Sequence, residues 1–307
     1  MIFPTYLMPL FGHRGSRFIF APILTWLSIR KLQAFEKNTL LGIQRSIGVS
    51  HDEARRIYRQ GVRSHILFNL DYFFLCRSPL VEIRQKMDLV KVVGINNLKP
   101  TLKKGRPLLI ITMHMGDFQL GFLKLASMIE QSQDIVMLKL SGTNTEEEVL
   151  LKAFQSLSGK NVRALHMGES GGKKAFYELR KGNIVAMAID AEVNVTSREE
   201  VVFFNNLCQM QKGPASLAVL TGATIIPVIN FVDSEGIHNI RVEAPISTDR
   251  GLGEASKQFV ISRVTQNIAQ VMESWIKIDP SQVHIWTCIA ETMLNFSKAK
   301  KVDETKK

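Results

Sequence analysis

Leu108-Leu109-Ile110-Ile111-Thr112-Met113-His114-Met115-Gly116-Asp117-Phe118-Gln119 is the stretch that decides the fold. Four large apolar residues in a row, without polar alternation, suit a strand covered on both faces of a sheet. Gly116 permits a tight turn after it. The apolar-periodic run from Phe118 to Ile129 reads as a helix, with Asp117 placed to cap its N-terminus. A buried strand feeding straight into a helix is the building unit of an α/β fold.

The same alternation extends outward from this stretch. Strand candidates lie at 90–93, 135–138, 162–165, 184–189, 201–204, 224–231 and 240–242. Helical candidates fall between them at 118–130, 145–158, 172–181, 212–221 and 254–277. The prediction is an α/β fold: a mostly parallel central sheet with helices on both faces, preceded by a basic helical N-terminal region. In open α/β sheets the chemistry lies in loops beyond the carboxyl ends of the strands. His114 stands in such a loop, and imidazole is the side chain best suited to general base work near neutral pH. The bland alternatives are a satisfied loop histidine for His114 and a plain helix cap for Asp117.

Upstream the chain changes character. Ser50-His51-Asp52-Glu53 has the capping-box pattern of a helix start. Residues 1–70 hold ten Lys and Arg against three acids, more than half of the chain's formal net charge of +11. Such an excess attracts polyanions. No helix-turn-helix, zinc finger or RNA-binding aromatic motif accompanies it, so nucleic acid is an unlikely partner. The apolar run Phe18–Ile29 contains Trp26 and is flanked by Arg17 and Arg30-Lys31. It is shorter than the roughly 20 residues that a bilayer span needs. That combination suits a helix lying on an anionic membrane surface; a core helix is the alternative. Three separate cysteines and no close histidine pairs exclude a disulfide scaffold and a zinc site. No cofactor is implied.

His114-Met115-Gly116-Asp117-Phe118-Gln119 resembles the His motif of the bacterial lipid A biosynthesis acyltransferases, within the lysophospholipid acyltransferase superfamily. The resemblance continues in order. The strand ending Ile189-Asp190-Ala191-Glu192 is similar to the family's Asp-Gln-Asp strand end, and Val202-Phe203-Phe204-Asn205 to its Pro-Phe-Phe-Gly. Gly213–Val228 resembles the helix and strand that follow, and Glu273–Trp286 the Trp-containing region near the end. The resemblance implies that His114 deprotonates an acceptor hydroxyl, which attacks the thioester of an acyl carrier protein or acyl-CoA. It implies a (glyco)lipid acceptor such as a lipid A precursor, at the cytoplasmic face of a bacterial inner membrane. The acid expected five residues after the histidine is replaced by Gln119. Three readings follow: Asp117 serves as the acid, Asp190 or Glu192 serves from a neighbouring strand end, or the protein is a weak or inactive lipid-binding relative. Arg163 and Lys212 are candidate holders of substrate phosphate groups, with solvated surface charge as their alternative. The expected organisation is a membrane-facing helical region at 1–85, an α/β acyltransferase-like domain at 86–295 and a basic tail at 296–307.

One further motif competes. Gly168-Glu169-Ser170-Gly171-Gly172 matches the Gly-x-Ser-x-Gly elbow of serine hydrolases, between a strand candidate and a helix candidate. Asp190 or Asp233, then His238 or His284, satisfy the chain order of that triad. Ser170 is otherwise a helix cap in a glycine-rich connection.

Overall fold

The computed structural model describes residues 8–103, 106–129, 133–139, 145–166, 170–190, 197–249 and 256–290. Glu192, the Gly168-Glu169 half of the hydrolase-like motif and the basic tail lie outside these residues. The fold is α/β, as the alternation predicts. Nine strands are described: β1 Lys91–Val93, β2 Leu108–Thr112, β3 Ile135–Lys139, β4 Val162–His166, β5 Ile184–Ala188, β6 Arg198–Phe203, β7 Asn206–Gln211, β8 Thr224–Val232 and β9 His238–Val242. Seven form one sheet in the order β1-β9-β8-β2-β5-β3-β4, and β6 and β7 form a separate hairpin. Every pair in the large sheet is parallel except β8 with β9.

Period-two alternation assigns the two faces of the sheet. Leu109, Ile111, Val185 and Met187 point into one apolar cluster, and Leu108, Ile110, Ile184 and Ala186 into the other. The first cluster is closed by α2 (Gln33–Ile47), α3 (His51–Leu75), α8 (Gly171–Arg180), α9 (Gly213–Thr221) and α10 (Lys257–Ile276). The second lies under α4 (Leu80–Asp88), α5 (Lys99–Lys103), α6 (Phe118–Ser127) and α7 (Thr145–Ser158). Large side chains such as Trp275 and Phe154 are fully buried in them. Full burial of one such side chain is worth about 1.5–3 kcal/mol. Two-sided burial explains why β2 and β5 carry no polar alternation.

The hairpin departs from the expected pattern. β7 alternates, with Cys208 and Met210 buried and Gln209 exposed, so it forms no continuous apolar run. Phe204 and Asn205 turn the hairpin with φ of 49° and 58°, the left-handed pair that a two-residue turn requires. Glu273 holds this turn by accepting the Phe204 N–H at 2.7 Å.

Before the sheet come α1 (Met8–Lys31), α2 and α3. The α1 helix breaks at Gly12 (φ 63°). Ser50 caps α3 by accepting from the Glu53 N–H, as its sequence predicts. Phe20, Ala21 and Leu24 of α1 bury against Leu70 and Phe73 of α3. Beside them Asp71 accepts from both His13 and Arg17, at 2.6 and 2.7 Å. The opposite face of α1 exposes Phe18, Ile19, Ile23 and Trp26. No helix among the described residues is long and apolar enough to cross a membrane.

Asp71 is the polar tie between α1 and α3. Asp71→Ala is expected to cost about 1–2 kcal/mol, since hydrogen bonds to charged groups are worth that order and Arg17 is partly solvated. It should also speed tryptic cleavage at Arg14 and Arg17. Melting curves and a timed digest check both, and unchanged digestion would contradict the tie.

Candidate active site

Parallel register builds the site. Leu108 pairs with Ile184 and each later pair keeps the same offset, ending at Thr112 with Ala188. The Ile189 N–H donates to the Thr112 carbonyl at 2.9 Å and continues the ladder. Two residues beyond the strand ends, the same offset sets His114 beside Asp190. The Asp190 carboxylate accepts from the His114 backbone N–H at 2.7 Å and pairs with its Nδ1 at 2.8 Å. Asp190 is buried, whereas the His114 side chain retains 31% exposure. Pairing at Nδ1 leaves Nε2 as the ring nitrogen free to face a substrate.

The turn that carries His114 is fixed on three sides. Gly116 has φ of 57°, and a Cβ there would lie 2.8 Å from the Asn230 carbonyl oxygen and 2.9 Å from the Phe231 Cα. Only glycine fits this left-handed turn against β8. Asp117 caps α6 by accepting the Leu120 N–H at 3.0 Å. Phe118 sets its ring edge against His114 at 5.1 Å and stacks on Phe68 of α3 at 4.6 Å. From the other side the segment 283–284 pairs with the turn: His284 donates its N–H to the His114 carbonyl at 2.9 Å, and Met115 bridges to Val283.

Burial of the His114 ring disfavours its charged form, but the Asp190 charge and hydrogen bond outweigh this and raise its pKa above the ordinary histidine value. Its neighbours go the other way. Burial, then the His114 charge, lowers His65; burial, then His65 and His114, holds His284 well below the histidine range. Both ring nitrogens of His284 are buried without a hydrogen-bond partner. Burial pushes the Asp117 carboxyl up, against the Leu120 hydrogen bond.

Two cavities adjoin the turn. One, of about 290 Å³, runs from His114 and Gln119 between the sheet and helices α6 and α7, past Thr112, Ile110, Ala186 and Leu150. The other, of about 760 Å³, is the more polar of the two and lies between the turn and α1, with Asp117, His284, Asp71, Arg17, His238 and Gln282 in its wall. Among the described residues, no group of three His, Cys, Asp or Glu side chains is disposed to hold a metal ion.

The sequence-derived candidates therefore separate. His114 and Asp190 come together. Asp117 lies in the same turn but serves the backbone of α6 rather than the imidazole. Gln119 lines the apolar cavity and makes no hydrogen bond to His114. Arg163 is not brought to the site: its guanidinium binds Glu178, with Asp134 at 3.9 Å. These acids precede β5 and β3, so the cluster lies at the amino edge of the sheet, opposite His114. Lys212 follows Gln211, a cavity residue, but its ammonium reaches Glu199 at 3.8 Å. Ser170 stands at the N-cap of α8, and its hydroxyl makes no hydrogen bond to that helix; Asp190, one acid of the competing triad, belongs to His114. The aromatic brace of Phe68, Phe118 and His284 has no local sequence signature, because its members come from three distant segments.

The raised His114 value sets a sign for pH dependence. A base must be unprotonated, so turnover should fall as pH drops through the His114 pKa. Asp190→Asn removes the charge that raises it and leaves the opposing burial, so the acid limb should move to lower pH. The rate at the optimum should fall by about 10⁴, the loss seen when a histidine-orienting carboxylate becomes an amide. A pH–rate profile of both proteins tests the direction, and an unmoved limb would contradict the pairing.

Comparison with known proteins identifies the family. The chain is 25% identical over 215 residues to a phosphatidylinositol mannoside acyltransferase of Mycolicibacterium smegmatis, a match spanning 67% of each chain. It is 30% identical over 116 residues to a Mycobacterium tuberculosis protein of the same name, spanning 36% of each. The sequence pattern of the bacterial lipid A biosynthesis acyltransferases matches residues 2–287. The chain belongs to that family, and it is an acyltransferase.

Proposed function

We propose that this acyltransferase moves a fatty acyl group from the thioester of an acyl carrier protein or acyl-CoA to a hydroxyl of a lipid headgroup, at a membrane surface. The observation that carries this reading is the His114–Asp190 pair at the mouth of an apolar cavity. Nε2 of His114 takes the proton of the acceptor hydroxyl as its oxygen attacks the thioester carbonyl. The tetrahedral intermediate collapses, the carbon–sulfur bond breaks, and the departing sulfur receives the proton from the imidazolium. The products are an ester and a free thiol, and Asp190 stabilises the imidazolium between the two steps.

The acid lost at Gln119 is not needed in this scheme, because Asp190 occupies the Nδ1 side of the ring. That argues for a working enzyme over an inactive lipid-binding relative. Asp117 has a structural part in this turn. The acyl chain belongs in the apolar cavity. The polar cavity on the α1 side is the natural place for an acceptor headgroup, since α1 carries both Arg17 in its wall and the exposed apolar face. A lipid A precursor and a mannosylated phosphatidylinositol, the substrate named for the relatives, are both acceptors of this kind.

Incubating purified protein with acyl carrier protein and acyl-CoA thioesters and membrane lipid extract, read by mass spectrometry, tests the activity. His114→Ala should abolish transfer, whereas Gln119→Ala should lower it less than about tenfold, as expected for a group off the proton path. Equal losses in the two variants would overturn the assignment of the base.

The apolar face of α1, with Arg30 stacked over Trp26 at 4.2 Å and Lys31 beside it, supports interfacial binding to an anionic leaflet. In vesicle flotation the protein should float with anionic vesicles, less with zwitterionic ones, and less at high salt. Phe18→Ser with Trp26→Ser should reduce flotation by roughly tenfold through lost apolar burial. Indifference to both changes would remove α1 from the interface.

A further inference from the structure

A polar group inside an apolar cavity is costly unless something bonds to it. Besides His114, the polar lining of the apolar cavity comprises Tyr72, Thr112, Gln119, Lys139, Gln211 and Asn230. Tyr72, Lys139 and Gln211 have interactions of their own, and Gln119 is half-buried. Thr112 and Asn230 differ. The Thr112 hydroxyl and the Asn230 side-chain oxygen are buried without a hydrogen-bond partner, and Asn230 as a whole is 4% exposed.

Strand register sets both beside the base. β2 and β8 pair in parallel from Leu108 with Thr224 to Ile111 with Pro227. The same offset carried onward puts Thr112 beside Val228 and His114 beside Asn230. β5 flanks β2 on its other side, so His114 stands between Asp190 and Asn230. Below this level the same sheet face is apolar on both strands, with Leu108 and Ile110 on β2 and Ile226 and Val228 on β8. Each strand turns polar only at its carboxyl end. Asn230 is also held in one orientation. Its Oδ1 lies against Gly121 of α6, where a Cβ would overlap it. The two ends of a carboxamide point apart, so the NH2 group turns away from α6 and presents its donors to the cavity.

We infer that Asn230 is a further catalytic residue: its side-chain N–H, together with the Thr112 hydroxyl, receives the thioester carbonyl oxygen as it becomes an oxyanion. The assignment rests on the acyl-transfer scheme above and adds the groups that hold the negative charge. As the acceptor oxygen bonds to the thioester carbon, the electron pair of the carbonyl π bond moves onto the carbonyl oxygen. Asn230 and Thr112 donate hydrogen bonds to that oxygen and give up no proton. When the intermediate collapses the pair returns, the carbon–sulfur bond breaks, and the sulfur takes its proton from His114. Donors fixed in a site shielded from water favour charge that exists only during reaction, so they act on kcat. Both groups are unpartnered in the resting protein, which leaves them available when that charge forms.

The test is steady-state kinetics of the full-length protein with the dodecanoyl thioester of CoA or of acyl carrier protein, whichever the wild type uses, and membrane lipid extract as acceptor. Asn230→Leu keeps the shape and removes the donor. It should lower kcat by roughly 10²–10³, the loss seen for one oxyanion donor, and change KM for the thioester by less than about threefold. Its melting temperature should rise, because a buried amide without a partner is gone. Its pH–rate profile should keep the wild-type acid limb, unlike that of Asp190→Asn. Thr112→Val should lower kcat by roughly tenfold, and Thr112→Ser should recover most of it. Asn230→Ala repeats the kinetic test if Asn230→Leu does not fold. Retained kcat in the Asn230 variants, or a loss carried wholly by KM, would overturn the donor and keep His114 as the base. A loss of roughly 10²–10³ in Lys139→Met beside an active Asn230→Leu would give the oxyanion to the ammonium and overturn it equally. Turnover that survives in His114→Ala but not in Asn230→Leu would overturn the base and keep the donor.

Discussion

Parallel pairing of β2 with β5 is the constraint on which the site depends. The offset that pairs Leu108 with Ile184 brings His114 to Asp190 without any special loop. A slip of one residue would turn the whole apolar set of a strand to the wrong face, so core packing on both sides of the sheet enforces the register. The same hydrophobic burial that stabilises the fold thereby positions the imidazole. Asp190 then binds twice, once to the ring and once to the backbone N–H of the same residue. The carboxylate is held relative to the main chain as well as to the side chain, a form of preorganisation that needs no movement during reaction.

The N-terminal helices are coupled to this centre. Val62 and Tyr58 of α3 lie in the same core cluster as Met113 and Met115. Ser64 donates to the Ser281 carbonyl at 3.0 Å, and at Gly61 a Cβ would meet the Val283 carbonyl oxygen at 2.7 Å. Through that close approach α3 holds the 280–284 segment, which in turn holds the His114 carbonyl. A change in how α1 and α3 sit thus has a short physical route to the His114 turn.

Much of the architecture was legible in the sequence because buried strands and amphipathic helices leave strong periodic signals. The runs around Leu108, Ile184 and Thr224 all became strands of the central sheet, and the helices from 118 to 277 lie within a few residues of their predicted ranges. β7 escaped because half its residues are polar and face outward. Within the site, His114 stood out by type and place, and Asp190 as one of several acids near strand ends. Choosing Asp190 over Asp117 required register, which a single sequence does not state. Arg163 looked available because its partners Glu178 and Asp134 are 15 and 29 residues away in the chain. His65 gave no signal as a site residue and His284 only as a possible member of the competing triad, since their proximity to each other is purely tertiary.

The imidazole cluster has a consequence of its own. The His65 and His284 rings stand 5.4 Å apart, and burial first, then repulsion from neighbouring imidazoles, disfavours a proton on either. Asp190 works the other way at His114 and favours its charged form. A proton taken up in this part of the molecule is therefore directed to His114 and away from the two histidines nearby.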